Sequence, residues 1–477
     1  MCGIWASVLK HFVDAETYVR KLSNRGPDNM RILVTSNYTL GFTHLSINGS
    51  AGMQPIIRNQ TYVVCNGEIY NYKKLAEEYS IEIPDGGSDC SILPELFTKC
   101  KTVTEFCRAL DGVFAMIVIH NGVLTAIRDP YGVRPLFMEG NSVFSSEVKG
   151  LPNRYGTIST FTPGCWYQHD VFHTYHTIPW IKQPVFRPDI FAASALQMSL
   201  FDAVRKRTMS DKPIGALLSG GLDSSVIVAI LTQLLPNRLH TFSVGLPDSP
   251  DLKYARMVSD HCGTIHHELV ITKQEYLDAI PAVIRDIESH DVTTVRASVG
   301  NWLIGKYIRE RTDIKVVFNG DGSDEVGGGY KYFQRAPSDA EFEQECRRLL
   351  KDIHLFDVLR SDRCIASHGL EPRTPYLDKQ FVATWLSIPS EYRRKKPEKG
   401  MLRLAFNPFL PKEIVWRPKE AFSDGMSECA PWKDIQNEEE YYKNIYSEMY
   451  PPGLIPYKWM PKWSPETTDP SARTLVM

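Results

Sequence analysis

Cys2 stands directly behind the initiator methionine, in Met1-Cys2-Gly3-Ile4. Removal of Met1 would leave a thiol and a free α-amine on one residue. An α-amine has an unperturbed pKa of about 8, so at neutral pH it can take the thiol proton, and the nucleophile carries its own base. A second centre is Leu217-Leu218-Ser219-Gly220-Gly221-Leu222-Asp223-Ser224-Ser225. A short apolar strand enters it from Lys212 to Leu218, and an apolar helix leaves it from Ser225 to Leu235. Backbone N–H groups of the turn and the positive end of the helix converge on one point, which suits an anion. The lysine of a G-x-x-x-x-G-K-[ST] loop is missing, so this is not a Walker-type loop. Asp223 sits inside the loop instead. A carboxylate repels bare phosphate but holds Mg²⁺ against it, so a metal pyrophosphate is the expected ligand.

Three further polar clusters call for chemistry. Asn319-Gly320-Asp321-Gly322-Ser323-Asp324-Glu325 follows the apolar stretch Ile314 to Phe318. Its glycines let backbone approach a ligand, and its carboxylates can share a metal with Asp223. An EF-hand reading fails, because Gly320 and Gly322 flank the central aspartate and a strand precedes the loop. Cys65-Asn66-Gly67-Glu68-Ile69-Tyr70-Asn71 follows the strand Tyr62 to Val64. Asn66 offers a side-chain amide and Gly67 an unobstructed N–H, the two donors that an oxyanion hole requires. Ser88-Asp89-Cys90 puts a carboxylate at a helix start, where on its own it reads as an N-cap.

The elements that must position these groups fall into two patterns. In the first third, hairpins form at His120-Asn121-Gly122, between Phe114–Ile119 and Val123–Ile127, and at Gly140-Asn141, between Leu136–Glu139 and Val143–Ser145. Short helices at Lys73–Tyr79 and Ser91–Cys100 complete two packed sheets with helices outside. A stiff, proline-spaced linker covers 179–188. Beyond it strands (Leu239–Leu246, Ile265–Ile271, Ile314–Phe318) alternate with helices (Ala192–Arg207, Leu252–His261, Lys273–His290, Arg296–Arg311). Pro281 kinks the third of these or starts a new helix. Such alternation predicts a parallel α/β sheet with the phosphate loop at a strand's carboxyl end.

A chain of 477 residues, 43% apolar and 23% charged, has room for two or three ordinary domains. The net charge of −2 gives no electrostatic basis for binding nucleic acid or an anionic membrane. The one dense basic run, Arg393-Arg394-Lys395-Lys396 with Lys399, reads as a solvated loop. Ten cysteines without a C-x-x-C pair point to reduced thiols, and His266-His267 lie in a strand and not in a metal site. No run approaches the ~18 apolar residues of a membrane span, and no signal peptide is recognisable, so a cytoplasmic location is expected.

Met1–Ile4, Arg25-Gly26-Pro27-Asp28, Asn66–Asn71 and Ser88–Cys90, in order over about residues 1–150, resemble the glutaminase domain of class II glutamine amidotransferases. These are N-terminal-nucleophile hydrolases with a four-layer αββα fold. The resemblance implies Cys2 as nucleophile, Asn66 and Gly67 as oxyanion hole, and a glutamine pocket from His44, Leu45, Ile47, Asn66, Gly67, Glu68 and Asp89, with Asp89 on the α-amino group. Relatives carry arginine where His44 stands, and that arginine grips the α-carboxylate. Histidine lacks the guanidinium fork and is largely neutral above pH ~6.5, so glutamine binding is expected to be weaker and to improve toward that pH, unless Arg25 compensates.

The remaining motifs are Ser219–Ser225, Phe242–Asp251, Val292–Ser298, Asn319–Tyr330, Pro375–Asp378 and 417–425, with 469–473 near the end. They resemble the synthetase domain of glutamine-hydrolysing asparagine synthetases of the bacterial B type, whose sheet is of the PP-loop ATP pyrophosphatase type with added helices. The implied domains are 1–183 and 189–477. The implied ATP site uses Leu217, Ser219, Gly220, Gly221, Asp223, Ser224, Val244, Asn319, Gly320 and Lys419, with Mg²⁺ on Asp223 and Asp324. Thr294 and Arg296 would contact aspartate. Asp321 replaces a family glutamate tied to adenylate formation and is one methylene shorter, so Asp321→Glu is expected to raise the synthetase rate.

The expected partners are small molecules (glutamine, aspartate and ATP), with a homodimer as a candidate assembly and neither nucleic acid nor a membrane. The expected reaction turns aspartate into asparagine through β-aspartyl-AMP, with ammonia from glutamine. A cyclising ligase such as a β-lactam synthetase has no need of Cys2. A non-catalytic homologue has only His44 and Asp321 in its favour.

Overall fold

The structure, a computed structural model, describes residues 1–10, 12–49, 51–179, 190–394, 396–420, 426, 431–450, 457–458 and 461–463. Most of the linker at 179–188, the end of the 417–425 motif and most of the proline-rich tail at 451–470 lie outside the described residues.

Two six-stranded antiparallel sheets fill the first third. One runs Ile158–Thr160, Phe137–Glu139, Val143–Ser145, Gly3–Ser7, Thr39–His44, Asn29–Val34. The other runs Val171–Thr174, Cys165–Gln168, Val123–Arg128, Gly112–His120, Thr61–Ile69, Ile56–Arg58. Side chains alternate across each strand and so sort themselves into layers. Ile4, Ala6, Leu40 and Phe42 of the first sheet share a buried cluster with Val64, Ala115, Ile117 and Ile119 of the second. The opposite face of the second sheet, through Val63, Met116 and Val118, packs on Leu75, Leu93, Leu96 and Phe106 from helices. Trp5, on the outer face of the first sheet, packs with Val19 and Leu22 around the helix Ala15–Arg20. The result is the expected αββα order, and both predicted hairpins form, the first with Asn121 and Gly122 at φ 50 and 80.

Five parallel strands form the second sheet system, in the order Ile265–Val270, His240–Gly245, Ile214–Leu217, Val316–Phe318, Glu371–Arg373. Chain order reverses between Ile214–Leu217 and Val316–Phe318, which pair directly. Both glycine-rich loops leave the carboxyl ends of these neighbouring strands, at the topological switch point where open α/β sheets bind ligands. Pro281 neither breaks nor restarts its helix, which runs unbroken over Lys273–Ile287. His266 and His267 lie in a strand as expected, with His266 bonded to Thr241 and Ser243 and His267 to His240.

The halves are joined by shared apolar surface and by buried charge. The cluster around Trp5 continues into Ile280, Val283 and Ile284 of the second half. Arg25 donates to Glu147 at 2.7 Å and across the junction to Asp362 at 2.8 Å. Glu288 accepts from the Val148 and Lys149 N–H groups at 2.9 and 2.8 Å. Arg25 therefore does not compensate for His44, because two carboxylates hold it at the junction.

Candidate active sites

The first site is assembled on adjacent strand ends. Cys2 precedes Gly3–Ser7, and its Sγ accepts from the Leu45 N–H at 3.5 Å and lies 3.8 Å from the Leu45 carbonyl. Burial pushes the thiol up to about 11 and the α-amine of Met1 down to about 6.

The strand Thr61–Ile69 runs through Cys65–Glu68, so the Asn66-Gly67 pair lies within a strand and not in a loop beyond it. Antiparallel pairing turns alternate N–H groups to alternate sides. Those of Asn66 and Glu68 face the neighbouring strand Gly112–His120, whereas those of Cys65, Gly67 and Ile69 face away from it. Cys65 N–H goes to Gln54 and Ile69 N–H to Asp89, which leaves Gly67 N–H between them. A Cβ on Gly67 would lie 2.4 Å from the Val113 carbonyl, so only glycine fits. The Asn66 side chain is fully buried, and neither end of its amide has a partner. Leaving such a group unsatisfied costs about 1–3 kcal/mol, and a ligand carbonyl or oxyanion would accept from its N–H end.

Asp89 does not cap its helix. Ser88 is the cap residue, and Asp89 reaches back to the Ile69 N–H at 2.7 Å. Burial and the nearby Glu371 raise its carboxyl to about 6 despite that bond. Burial, Glu371 and Asp89 likewise hold Glu68 well above the ordinary carboxylate range, against the opposing charge of Arg373. Glu68 accepts from Asn48 at 2.5 Å and sits 3.5 Å from Arg373. A concentration of carboxyl groups in one pocket suits a substrate ammonium. His44 ends the strand Thr39–His44, and burial lowers its pKa while Asp28 opposes the shift. The Ile47 carbonyl is held by the Asp211 N–H at 3.0 Å.

At the second site, the helix Leu222–Leu234 begins inside the expected loop, so Asp223 and Ser224 lie on its first turn. Gly220 has φ 71, and a Cβ there would lie 2.4 Å from Tyr254 backbone. Gly221 is the cap residue, and its N–H donates to Ser219 Oγ at 3.3 Å. Ser219 and Ser224 hydroxyls are 3.1 Å apart. Gly320 brings the second loop onto this turn, since a Cβ there would be 2.9 Å from Ser224 N.

A cavity of about 210 Å³ opens here. Leu217, Ser219, Asp223, Ser224 and Val244 line one side, and Asn319, Gly320, Asp321, Asp324 and Lys419 another. Thr294 and Arg296 also face it, but both are engaged. Thr294 is tied to Asp291 through N–H and hydroxyl at 2.9 and 2.8 Å, capping the helix Val292–Arg311. Arg296 is paired with Glu438 and lies 4.8 Å over the Trp432 ring. The buried hydroxyl of Thr293 lines the same cavity without a partner. Arg360 reaches it too, donating to Asp321 at 2.8 Å, while the other oxygen of Asp321 is buried and unpaired. Neither Thr293 nor Arg360 was signalled by its motif; the doubled threonine was the only hint.

Lys399 is the largest departure from expectation. The basic run is not wholly solvated: Arg393 is buried, and Lys399 is 1% exposed. Its ammonium lies 2.7 Å from both oxygens of Asp223 and 2.6 Å from Asp324. Lys419 sits 2.6 Å from the other Asp324 oxygen. Burial disfavours ionisation of Asp324, yet these two ammonium groups hold its carboxyl well below the usual range.

One strand touches both sites. In Glu371–Arg373, Glu371 lies 3.8 Å from the N-terminal amine, and the Arg373 side chain faces Glu68. The Arg373 carbonyl accepts from the Asn319 N–H at 3.1 Å.

Sandwich and parallel sheet are the two halves of a glutamine amidotransferase of the PP-loop synthetase class. Residues 1–176 match the glutamine amidotransferase domain family, and residues 195–341 and 334–443 match the asparagine synthase family. The glutamine-hydrolysing asparagine synthetase of Gallus gallus is 38% identical, over 100% of this chain and 98% of its own length. Those of Rattus norvegicus and Homo sapiens are 39% and 38% identical, each over 100% of this chain and 99% of their own. The chain belongs to the family of glutamine-hydrolysing asparagine synthetases.

Proposed function

We propose that the chain makes asparagine from aspartate, using ammonia from glutamine and driven by ATP. Cys2, freed of Met1, attacks the side-chain amide of glutamine to give a glutamyl thioester and ammonia, and water then releases glutamate. The α-amine freed by removal of Met1 takes the thiol proton, and Asn66 with Gly67 stabilises the oxyanion. Glu68 and Asp89 hold the glutamine, Asp89 at the ammonium. In the second site ATP and aspartate give β-aspartyl-AMP and pyrophosphate, and ammonia displaces AMP. The domains are taken as 1–183 and 189–477. The observation that carries the reading is the likeness to asparagine synthetases over the whole chain, with a buried, unpartnered Asn66 amide at the first site and both phosphate-site loops meeting at the second. The test supplies Mg-ATP, glutamine and candidate acids and follows asparagine and pyrophosphate. Pyrophosphate release that ignores aspartate would overturn it.

Mg²⁺ fits the residues present. Asp223 and Asp324 already converge on one cation, the Lys399 ammonium. Among the described residues no group of three or more His, Cys, Asp or Glu side chains gathers for a metal. Two carboxylates suit Mg²⁺, which keeps waters and phosphate oxygens as its other ligands, and bound there it would neutralise phosphate charge. Nine described cysteines are all free, which supports a reducing, cytoplasmic setting. No described helix is long and apolar enough to cross a membrane.

The geometry changes the expected pH behaviour of glutamine binding. With a lowered pKa, His44 gains charge only below its ordinary value, whereas Asp89, raised to about 6, loses charge as the pH falls toward and through that value. As pH falls from 8 through 6, the ammonium partner weakens before the carboxylate partner strengthens. The KM for glutamine is therefore expected to rise below pH 6, and His44→Arg to lower it roughly tenfold at pH 7.5. Glutaminase kinetics across that range decide. A KM that falls between pH 7.5 and 6 would restore the simpler histidine reading.

Asp321→Glu is expected to raise pyrophosphate release roughly tenfold, by carrying the carboxylate further into the cavity from its anchor on Arg360. A slower variant with unchanged thermal unfolding would mean that the pocket is built around the shorter acid.

A further inference from the structure

We infer that Lys399 keeps the Asp223–Asp324 pair closed to free divalent cations, so that metal enters only together with nucleotide phosphate. The inference deepens the reading of these carboxylates as the metal site and rests on it. Two ammonium groups face two carboxylates here, and the cluster is neutral without a metal. Lys399 does most of this, since it bridges both acids from a nearly inaccessible position, whereas Lys419 lies 3.6 Å from Asp223 and is 23% exposed.

The lysine is also held in place. Its backbone takes the left-handed conformation, φ 55, immediately before the helix Gly400–Phe406. Its stem passes over two glycines. A Cβ on Gly327 would lie 3.0 Å from Lys399 Cγ, and one on Gly329 would lie 2.9 Å from its Cε. Ser323 adds a hydroxyl to Asp223 at 2.8 Å.

A bare divalent ion arriving at this pair must either sit against the ammonium or expel it. Expulsion leaves a buried cation without a partner, which is strongly unfavourable. A metal arriving on a nucleotide brings phosphate oxygens, and these give the ammonium somewhere to go. The same lysine then serves both states, standing in for the metal before it comes and facing the phosphates afterwards.

Full-length protein titrated with Mn²⁺, with free ion followed by electron paramagnetic resonance, tests this with and without a non-hydrolysable ATP analogue. Wild type should bind Mn²⁺ at least ten times more tightly with the analogue. Lys399→Met should bind Mn²⁺ without nucleotide at least about tenfold more tightly than wild type, because one repelling charge within a few ångströms has gone. Lys399→Arg, which keeps the charge, should not. A structural role alone would not produce a gain in metal affinity. If Lys399→Met, unfolding like wild type, binds nucleotide-free Mn²⁺ no better, the inference falls. Should the variant not fold, equal Mn²⁺ affinity of wild type with and without the analogue overturns it as well. No Mn²⁺ on wild type even with the analogue overturns the metal reading itself.

Discussion

Cys2→Ala should lower asparagine formation from glutamine by at least about a thousandfold and leave formation from free ammonia largely intact. Loss of a covalent nucleophile removes a whole reaction route, so effects of this size follow. The selectivity follows from the architecture. Cys2 sits in the antiparallel sandwich beside Leu45, whereas both phosphate-site loops leave the parallel sheet. Among the described residues its thiol hydrogen-bonds to Leu45 backbone and to no charged group, so a methyl group in its place strands no buried charge. Parallel assays with glutamine and with ammonium salts separate the two activities. An equal collapse of both would mean that Cys2 supports the junction as well as the chemistry. Mass spectrometry of the N-terminus belongs with the experiment, since a retained Met1 would block the same step.

Asp324→Asn should do the opposite, cutting synthesis from either nitrogen source by roughly a hundredfold or more while glutamine hydrolysis continues. Two ammonium groups meet this carboxylate at 2.6 Å each. An amide removes the charge that both were paired with, leaving Asp223 alone to face Lys399 and Lys419. Breaking a buried pair in this way costs about 3–5 kcal/mol, so thermal unfolding should shift down as well. ATP binding, pyrophosphate release and unfolding should be measured together. Full pyrophosphate release by the variant would remove Asp324 from the site.

The parts of this molecule that were legible in the sequence are those whose chemistry is local. Asn121-Gly122 makes a tight hairpin, a Gly-Gly turn between strand and helix makes an anion cradle, and Cys2 sits at the start of the chain. Contacts formed at long range were not legible. Lys399 meets carboxylates 176 and 75 residues away, and nothing in Arg393–Gly400 separates a buried ammonium from a solvated one. Thr294 is spent on a helix cap, so its neighbour Thr293 is the hydroxyl that faces the cavity. Arg296 is taken by Glu438 from a distant helix, and Arg360 stands by Asp321 instead. The helix starts at Leu222, three residues before the Ser225 that apolar periodicity suggests, with Gly221 as its cap, and so Asp223 lies on the helix and not in the loop.

The junction between the two halves bears on how such an enzyme can be taken apart. Trp5, Val19 and Leu22 share one apolar cluster with Ile280, Val283 and Ile284. Met1, Leu45 and Tyr131 share another with Leu196, Leu200 and Val226. Neither half closes its own hydrophobic surface, so each cut free would present a broad greasy face to water and to other copies of itself. The two activities are separable by point substitution but not by scissors: gene fragments of this chain are poor starting material for a stand-alone glutaminase or a stand-alone ligase.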